Sequence, residues 1–452
     1  MFLHGGQVYR ALTAGALKEW EFVSQQPFFS RRIEAGDVVA TKRLDDMGRL
    51  LPDNSGWEAV LEHARVPMVS YPYEWSFSML RRAALLQLEL LEESLLSGVT
   101  LKDATPYNVQ FMGTVPTMID VASFIKYDGK APWYGYRQFC QMNLFPLMLQ
   151  ALRGVDFQPF LRGRLEGITP RECRGMIPMT QLWRRGVISH VYLHAMLDGQ
   201  QGGRPATDSQ SLTDQGFGAE LILNNVRKLR KIVDRLRWGA KESRWSNYDA
   251  ESEPVRLDAA AKEQFIREVA SQRRRASVWD FGCNLGRYSR IAAEHADQVL
   301  ALDFDHLTID RLYNSLHAEG NRRILPLVFN VADASPGLGW RGLERKRLQD
   351  RGRPELTLAL ALIHHLVIGA YLPMSEVIDW FADLGGELVI EFVDREDPQV
   401  KSLLVNRSDV IADYCPEVFL KELSRRFEVI RVLPLPSRTR TIYHARVRPA
   451  DK

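Results

Sequence analysis

Cysteine is scarce, with Cys140, Cys173, Cys283 and Cys415 spread through 452 residues and no two at CxxC spacing. Neither a disulfide framework nor a zinc site can organise such a chain, so no metal is expected and a reducing cytoplasm is the expected compartment. An excess of one charge is also missing, since Lys plus Arg number 59 against 56 for Asp plus Glu. No global field draws in phosphate backbones, and nucleic acid is not an expected partner. Cationic residues concentrate only locally, in "RKLRKIVDRLR" and "SQRRR". No run reaches the ~18 apolar residues of a membrane span. The longest candidate, "LTLALALIHHLVIGAYL", is interrupted by two histidines and reads as a buried strand with the segment after it. "MFLHGGQVYRAL" lacks a basic segment leading into an apolar one, so no signal peptide is expected.

What is present is ordinary for a soluble globular protein, at 45% hydrophobic and 25% charged residues. A length of about 150 residues per domain predicts two or three domains. We expect an α+β domain over residues 1–150, a helical connector over 151–255, and a third region over 256–452. "GQQGGRPATDSQSLTDQGFG", residues 199–218, has the composition of a flexible linker. After it, "AELILNNVRKLRKIVDRLRW" repeats apolar residues every three or four positions, which predicts an amphipathic helix with a basic face.

From Ala276 the texture becomes alternating strand and helix. Candidate strands are 277–281, 298–304, 324–330, 356–362 and 386–393, followed by "FEVIRVLPL" and "TIYHARV" joined by a short polar turn. Such alternation predicts an α/β fold: a mostly parallel, Rossmann-like sheet ending in an antiparallel pair. In "VWDFGCNLGRYS", Asp280 and Gly282 end a strand, Asn284 stands where a third glycine is common, and Gly286 opens a helix. Asparagine tolerates the left-handed backbone that such a turn needs. Asp303 ends the next strand, beside Phe304, where a carboxylate can accept hydrogen bonds from both ribose hydroxyls. Asp333 follows the third strand. A turn that begins with an acid repels phosphate and suits a cationic amino-acid group.

These segments resemble the class I S-adenosylmethionine-dependent methyltransferases over residues 276–447. The resemblance implies S-adenosylmethionine as cofactor, with Asp280, Gly282, Cys283, Asn284, Gly286, Asp303, Phe304 and Asp333 as its binding residues. Together with "YPYEWSF", "LKDATPYNVQF", "PWYGYRQFC" and "LALIHHL", they resemble a bacterial group of two-domain methyltransferases related to nodulation protein NoeA. That implies methyl transfer to a small-molecule, glycan or lipid-linked acceptor. The candidate bases are His364 and His365, where the fourth strand ends at the ligand-binding edge of an open α/β sheet, and Glu391 on the fifth. A histidine titrates near neutrality and can take a proton from a hydroxyl or amine.

The N-terminal half raises a separate question. "LKDATPYNVQFMGTVPTMID" has Asp103, Asn108 and Asp120 in the order of a kinase-like catalytic loop, after a helical segment ended by a glycine. In such loops the first aspartate receives a hydroxyl proton, and the others hold magnesium. No glycine-rich phosphate loop precedes it, Lys42 in "VVATK" is the available phosphate lysine, and Ala122 stands where a glycine is expected. The leading expectation is therefore a kinase-like domain that aids substrate recognition, with Asp103, Asn108 and Asp120 as a possible ligand site. ATP-dependent phosphotransfer and a non-catalytic binding scaffold are the alternatives. Trp75 and Trp133 are expected in the core or framing a pocket.

Overall fold

Two textures of sequence give two bodies of structure. The computed structural model describes residues 1–44, 50, 56–129, 131–200, 218–240, 242, 253–405 and 414–449. Its compact units are Met1–Ala240 and Lys241–Lys452. Of the expected linker near 199–218, residues 201–217 lie outside the described residues. The helices Pro170–Met176 and Ala219–Arg235, within the stretch read as a connector, belong to the first unit.

The first unit begins with strands β1 (Phe2–His4), β2 (Gln7–Leu12), β3 (Thr41–Arg43) and β4 (Ala59–His63), in an antiparallel sheet of order β1-β2-β4-β3. The helix Phe77–Leu96 starts where Ser76 caps it, its side chain accepting the Met79 N–H at 3.4 Å. Its leucines repeat at helical spacing, and Leu80, Leu88, Leu90 and Leu91 are fully buried. The amphipathic helix Ala219–Arg235 packs against it, and Arg81 reaches across to the Asp234 carboxylate at 2.7 Å. Strands β5 (Val99–Leu101) and β8 (Phe124–Lys126) pair antiparallel, and β6 (Val109–Met112) with β7 (Val115–Met118) forms a hairpin between them. Trp75 and Trp133 are both buried. Their ring N–H groups donate to Ser70 Oγ at 2.9 Å and to the Leu101 carbonyl at 3.0 Å, so each large apolar body is satisfied at its polar tip.

The second unit is a seven-stranded sheet of β9 (Arg275–Phe281), β10 (Ala296–Asp303), β11 (Ile324–Val328), β12 (Leu356–Ala359), β13 (Glu387–Val393), β14 (Phe427–Pro434) and β15 (Arg440–Val447). The order is β11-β10-β9-β12-β13-β15-β14. β9 to β13 run parallel, and β15 is antiparallel to both β13 and β14. This is the mostly parallel sheet with a reversed last strand that the strand–helix alternation predicts. The central strands are buried on both faces, as their largely apolar runs require, and every residue of β13 is buried. The order reverses between β9 and β12. In an open parallel sheet this reversal opens a crevice above the carboxyl ends of the strands. Among the described residues no helix is long and apolar enough to cross a membrane.

Candidate active site

The crevice is built first from backbone. After β9 the chain turns at Gly282, with φ +73°, and the N–H groups of Gly282 and Cys283 both donate to the Leu302 carbonyl on β10, at 2.8 and 3.1 Å. A Cβ on Gly282 would meet nothing closer than Leu362 Cδ1 at 3.6 Å, so conformation rather than space demands glycine there. Gly286, with φ +75°, caps the helix Arg287–Glu294 under a tighter constraint: a Cβ would lie 2.7 Å from Leu312 Cδ1. Asn284 has φ +48°, the left-handed conformation expected of it.

Asp303 fixes that turn. Its Oδ2 accepts the Asn284 N–H at 3.0 Å and its Oδ1 accepts the Asp305 N–H at 3.0 Å. Burial nevertheless pushes its carboxyl up to about 6, with the two N–H groups opposing the rise. Asp280 is fully buried and accepts the Ser289 hydroxyl at 2.5 Å. Burial pushes it up to about 7, and the charge of Asp303 adds to the rise. Two carboxyls held back from ionising beside one turn make a seat that a cationic group would relieve. Cys283 is buried, its thiol raised well above its usual value by burial, and it lines the turn as an apolar side chain. Phe304 is 48% exposed beside Asp303, an aromatic face at the crevice mouth. Asp333 is exposed in the 3₁₀ turn Val331–Asp333 that follows β11, on the same sheet edge.

The fourth strand ends earlier than its apolar sequence predicts. β12 stops at Ala359, and Ala361 turns into the left-handed region at φ +48°. The cause is Glu391 on β13, whose Oε2 accepts the Ala361 N–H at 2.9 Å. Glu391 is fully buried, paired with Lys262 Nζ at 2.7 Å and with Arg440 Nη1 at 3.5 Å. Its carboxylate is thus engaged by two cations and a backbone amide within the protein. His364 is also fully enclosed, and neither ring nitrogen has a hydrogen-bond partner. Burial, then the neighbouring charges of His365, Arg440 and Lys262, hold it well below its usual value, so the ring stays neutral. His365 packs against it with ring centroids 4.1 Å apart and is half-buried.

In the first unit the residues read from spacing as a kinase-like loop meet partners that spacing did not reveal. Asp120 Oδ1 is paired with Arg10 at 2.6 Å, and its Oδ2 accepts the Ser123 hydroxyl at 2.6 Å. Asn108 donates to Ser123 Oγ at 3.2 Å, so Asn108 and Asp120 are joined through Ser123. Asp103 is half-buried on the segment after β5. Thr41 Oγ1 lies 2.9 Å from His63 Nδ1 and 3.0 Å from the Val39 carbonyl. Lys42, the expected phosphate lysine, instead pairs with Glu62 at 3.3 Å, its side chain 67% exposed. β3 pairs Thr41 with His63 and Lys42 with Glu62, so Lys42 sits on the opposite face of the sheet from His63.

Ser289, Lys262, Arg440, Ser123 and Arg10 carried no local signal. Each acts on a partner distant in sequence or placed by a turn, and the basic Arg10 in "VYRAL" is marked only by the strand register that brings it to Asp120.

No protein-family model matches the chain. Among solved structures it is similar to N-methyltransferase NodS from Bradyrhizobium japonicum WM9 in complex with S-adenosyl-l-homocysteine, at 14% identity over 44% of this chain and 94% of that one, with a TM-score of 0.32. It is also similar to the bifunctional kinase-methyltransferase WbdD, at 17% identity over 45% of this chain and 41% of that one, with a TM-score of 0.31. Scores this low decide nothing about fold or function. The sequence relationship is stronger and spans both units. The chain is 31% identical to nodulation protein NoeA of Rhizobium meliloti (strain 1021) over 386 residues, which is 85% of this chain and 81% of that protein. With that identity over most of both chains, this protein belongs to the family of nodulation protein NoeA.

Proposed function

We propose that the second unit transfers a methyl group from S-adenosylmethionine to a hydroxyl or amine of a small-molecule, glycan or lipid-linked acceptor, and that the first unit helps to recognise that acceptor. The observation that carries this reading is the joint between the glycine turn and Asp303 at the carboxyl edge of a sheet with a reversed last strand. Asn284 and Asp305 hold Asp303 so that its remaining lone pairs can take ribose hydroxyls. Asp280 and Asp303, both raised, favour a cationic ligand over a phosphate. Phe304 and Asp333 border the same edge, where an adenine would be flanked.

When bound, S-adenosylmethionine supplies an already activated methyl group, so the protein's own work is to align the acceptor and to receive a proton where the acceptor carries one. His365 is the candidate for that second task, because it is half-buried at the end of β12. The His364 ring packs against it, and Glu391 holds the turn at Ala361 that precedes both.

Isothermal titration with S-adenosylmethionine and S-adenosylhomocysteine tests the proposal. Binding that weakens about tenfold or more in Asp303→Ala, from loss of charged hydrogen bonds, is the expected result. Absence of binding to either compound would sink it. Phosphotransfer at Asp103, Asn108 and Asp120 is the weaker reading, because magnesium would have to displace the guanidinium of Arg10 from Asp120 and Lys42 faces away. Methyl transfer to any acceptor removes the scaffold reading.

A further inference from the structure

We propose that the first unit docks on an anionic lipid surface through the stretch Leu165–Leu197. The helical turns Val187–Tyr192 continue into the helix Leu193–Gln200, and their inward face is filled by buried Val187, His190, Val191 and Ala195. An outward face next to water should then be polar. Instead Ile188, Leu193, Met196 and Leu197 are 49–60% exposed. Just before them, Met179 and Trp183 are each 71% exposed, and Leu165 is 53% exposed. The helix Pro170–Met176 packs against both helical segments, which draws the stretch from Leu165 to Leu197 into one local body. Isolated exposed apolar residues need no explanation, but a concentration of seven large ones marks an interaction surface.

The charges around them select the occupant. Between Arg164 and Arg185 stand exposed Arg164, Arg171, Arg174, Arg184 and Arg185 against Glu166 and Glu172. Arg184 lies over the Trp183 ring at 4.1 Å. The basic helix Ala219–Arg235 adjoins them: Ile232 lies under Gly186, and Lys228 acts electrostatically on His190. A second copy meeting this face across a two-fold axis would oppose arginine to arginine. A bilayer with anionic headgroups offers both complements at once: acyl chains for the exposed Trp, Met, Leu and Ile, and phosphates for the arginines that rim them. No described helix is both long and apolar enough to cross a bilayer, and the exposed apolar side chains stand among arginines, so the contact proposed is one of lying on the surface.

The test is co-sedimentation of the full chain with phosphatidylcholine vesicles, with and without phosphatidylglycerol. Binding is expected only to the anionic vesicles, and high salt should weaken it by screening. Arg184→Gln with Arg185→Gln should lower the partition coefficient about thirtyfold, at about fivefold per basic residue near the surface. Trp183→Ser with Leu197→Ser should lower it about tenfold or more. All four positions are exposed, so an unchanged melting curve verifies that the variants remain folded. No binding to anionic vesicles, or binding indifferent to Trp183→Ser with Leu197→Ser, overturns the proposal. Concentration-dependent self-association that those two changes abolish also overturns it, in favour of a second copy. Cofactor titration is read separately, so loss of vesicle binding leaves the methyltransferase proposal standing.

Discussion

Glu391→Gln separates a structural acid from a catalytic one. The wild-type carboxylate is fully buried, with Lys262 at 2.7 Å, Arg440 at 3.5 Å and the Ala361 N–H at 2.9 Å. Glutamine keeps the volume and an oxygen for Ala361, so what is lost is charge. Arg440 retains Asp397, at 2.8 Å to its Nε, and is not stranded. Lys262, itself only 6% exposed, loses its paired carboxylate. Removing one partner of a buried pair costs about 3–5 kcal/mol. For a unit of this size that is a fall in melting temperature of about 6–20 °C. Removing both charges, as in Lys262→Met with Glu391→Gln, leaves no orphaned charge while keeping an oxygen for the Ala361 N–H, and should recover most of the loss. Thermal denaturation of the wild type and the two variants is the assay, with methyl transfer read below the lowest melting point. If Glu391→Gln melts within about 2 °C of the wild type and loses turnover, the structural assignment is wrong and Glu391 is the base.

Binding of S-adenosylmethionine should tighten as pH rises through about 6 and about 7, where Asp303 and Asp280 ionise. Stability of the unliganded protein should move the other way. Both carboxyls are raised above their usual value, so the folded state holds protons that the unfolded state has released, and these groups cost stability as pH rises from about 4 to about 7. A pH-independent affinity across that window would refute the assignment. Gly286→Ala should destabilise by about 1–3 kcal/mol, because positive φ is compounded by a 2.7 Å approach to Leu312. Gly282→Ala meets only ordinary contacts and should cost about 1 kcal/mol; denaturant titration ranks the two, and the opposite order would refute the packing argument. Asp120→Ala strands the partly buried Arg10 and removes the acceptor of Ser123, for a loss of about 1–3 kcal/mol in the same assay.

How much the sequence revealed depends on the range of the interactions involved. Buried parallel strands announce themselves as short apolar runs, and β9, β10, β11 and β13 fall within a few residues of their expected bounds. The turn at Gly282 and Gly286 and the placing of Asp303 at the end of the next strand were legible because each is set by the few residues around it. Lys42 shows where this stops. In a strand a shift of one residue reverses the face, and only the β3–β4 register, which sets Lys42 against Glu62, decides which face it takes. The roles of Lys262 and Arg10 rest on partners far away in sequence, at Glu391 and Asp120, and no local spacing encodes such pairings.

The two rims of the crevice share one construction, and that sharing explains why acids in different surroundings looked alike in sequence. At one rim Asn284, and at the other Ala361, adopts φ +48°. A non-glycine residue held there costs of order 1–3 kcal/mol and persists only where its surroundings over-determine it. In each case a carboxylate on the neighbouring strand does so by accepting the amide: Asp303 for Asn284 at 3.0 Å, and Glu391 for Ala361 at 2.9 Å. What separates them is the rest of each carboxylate. Asp303 is half-buried and shares its oxygens only with backbone N–H groups, so lone pairs remain for a ligand. Glu391 is enclosed and neutralised by cations of its own chain. Exposure and counter-charge, rather than residue type or position at a strand end, thus divide the acid left open to a ligand from the acid closed within the protein.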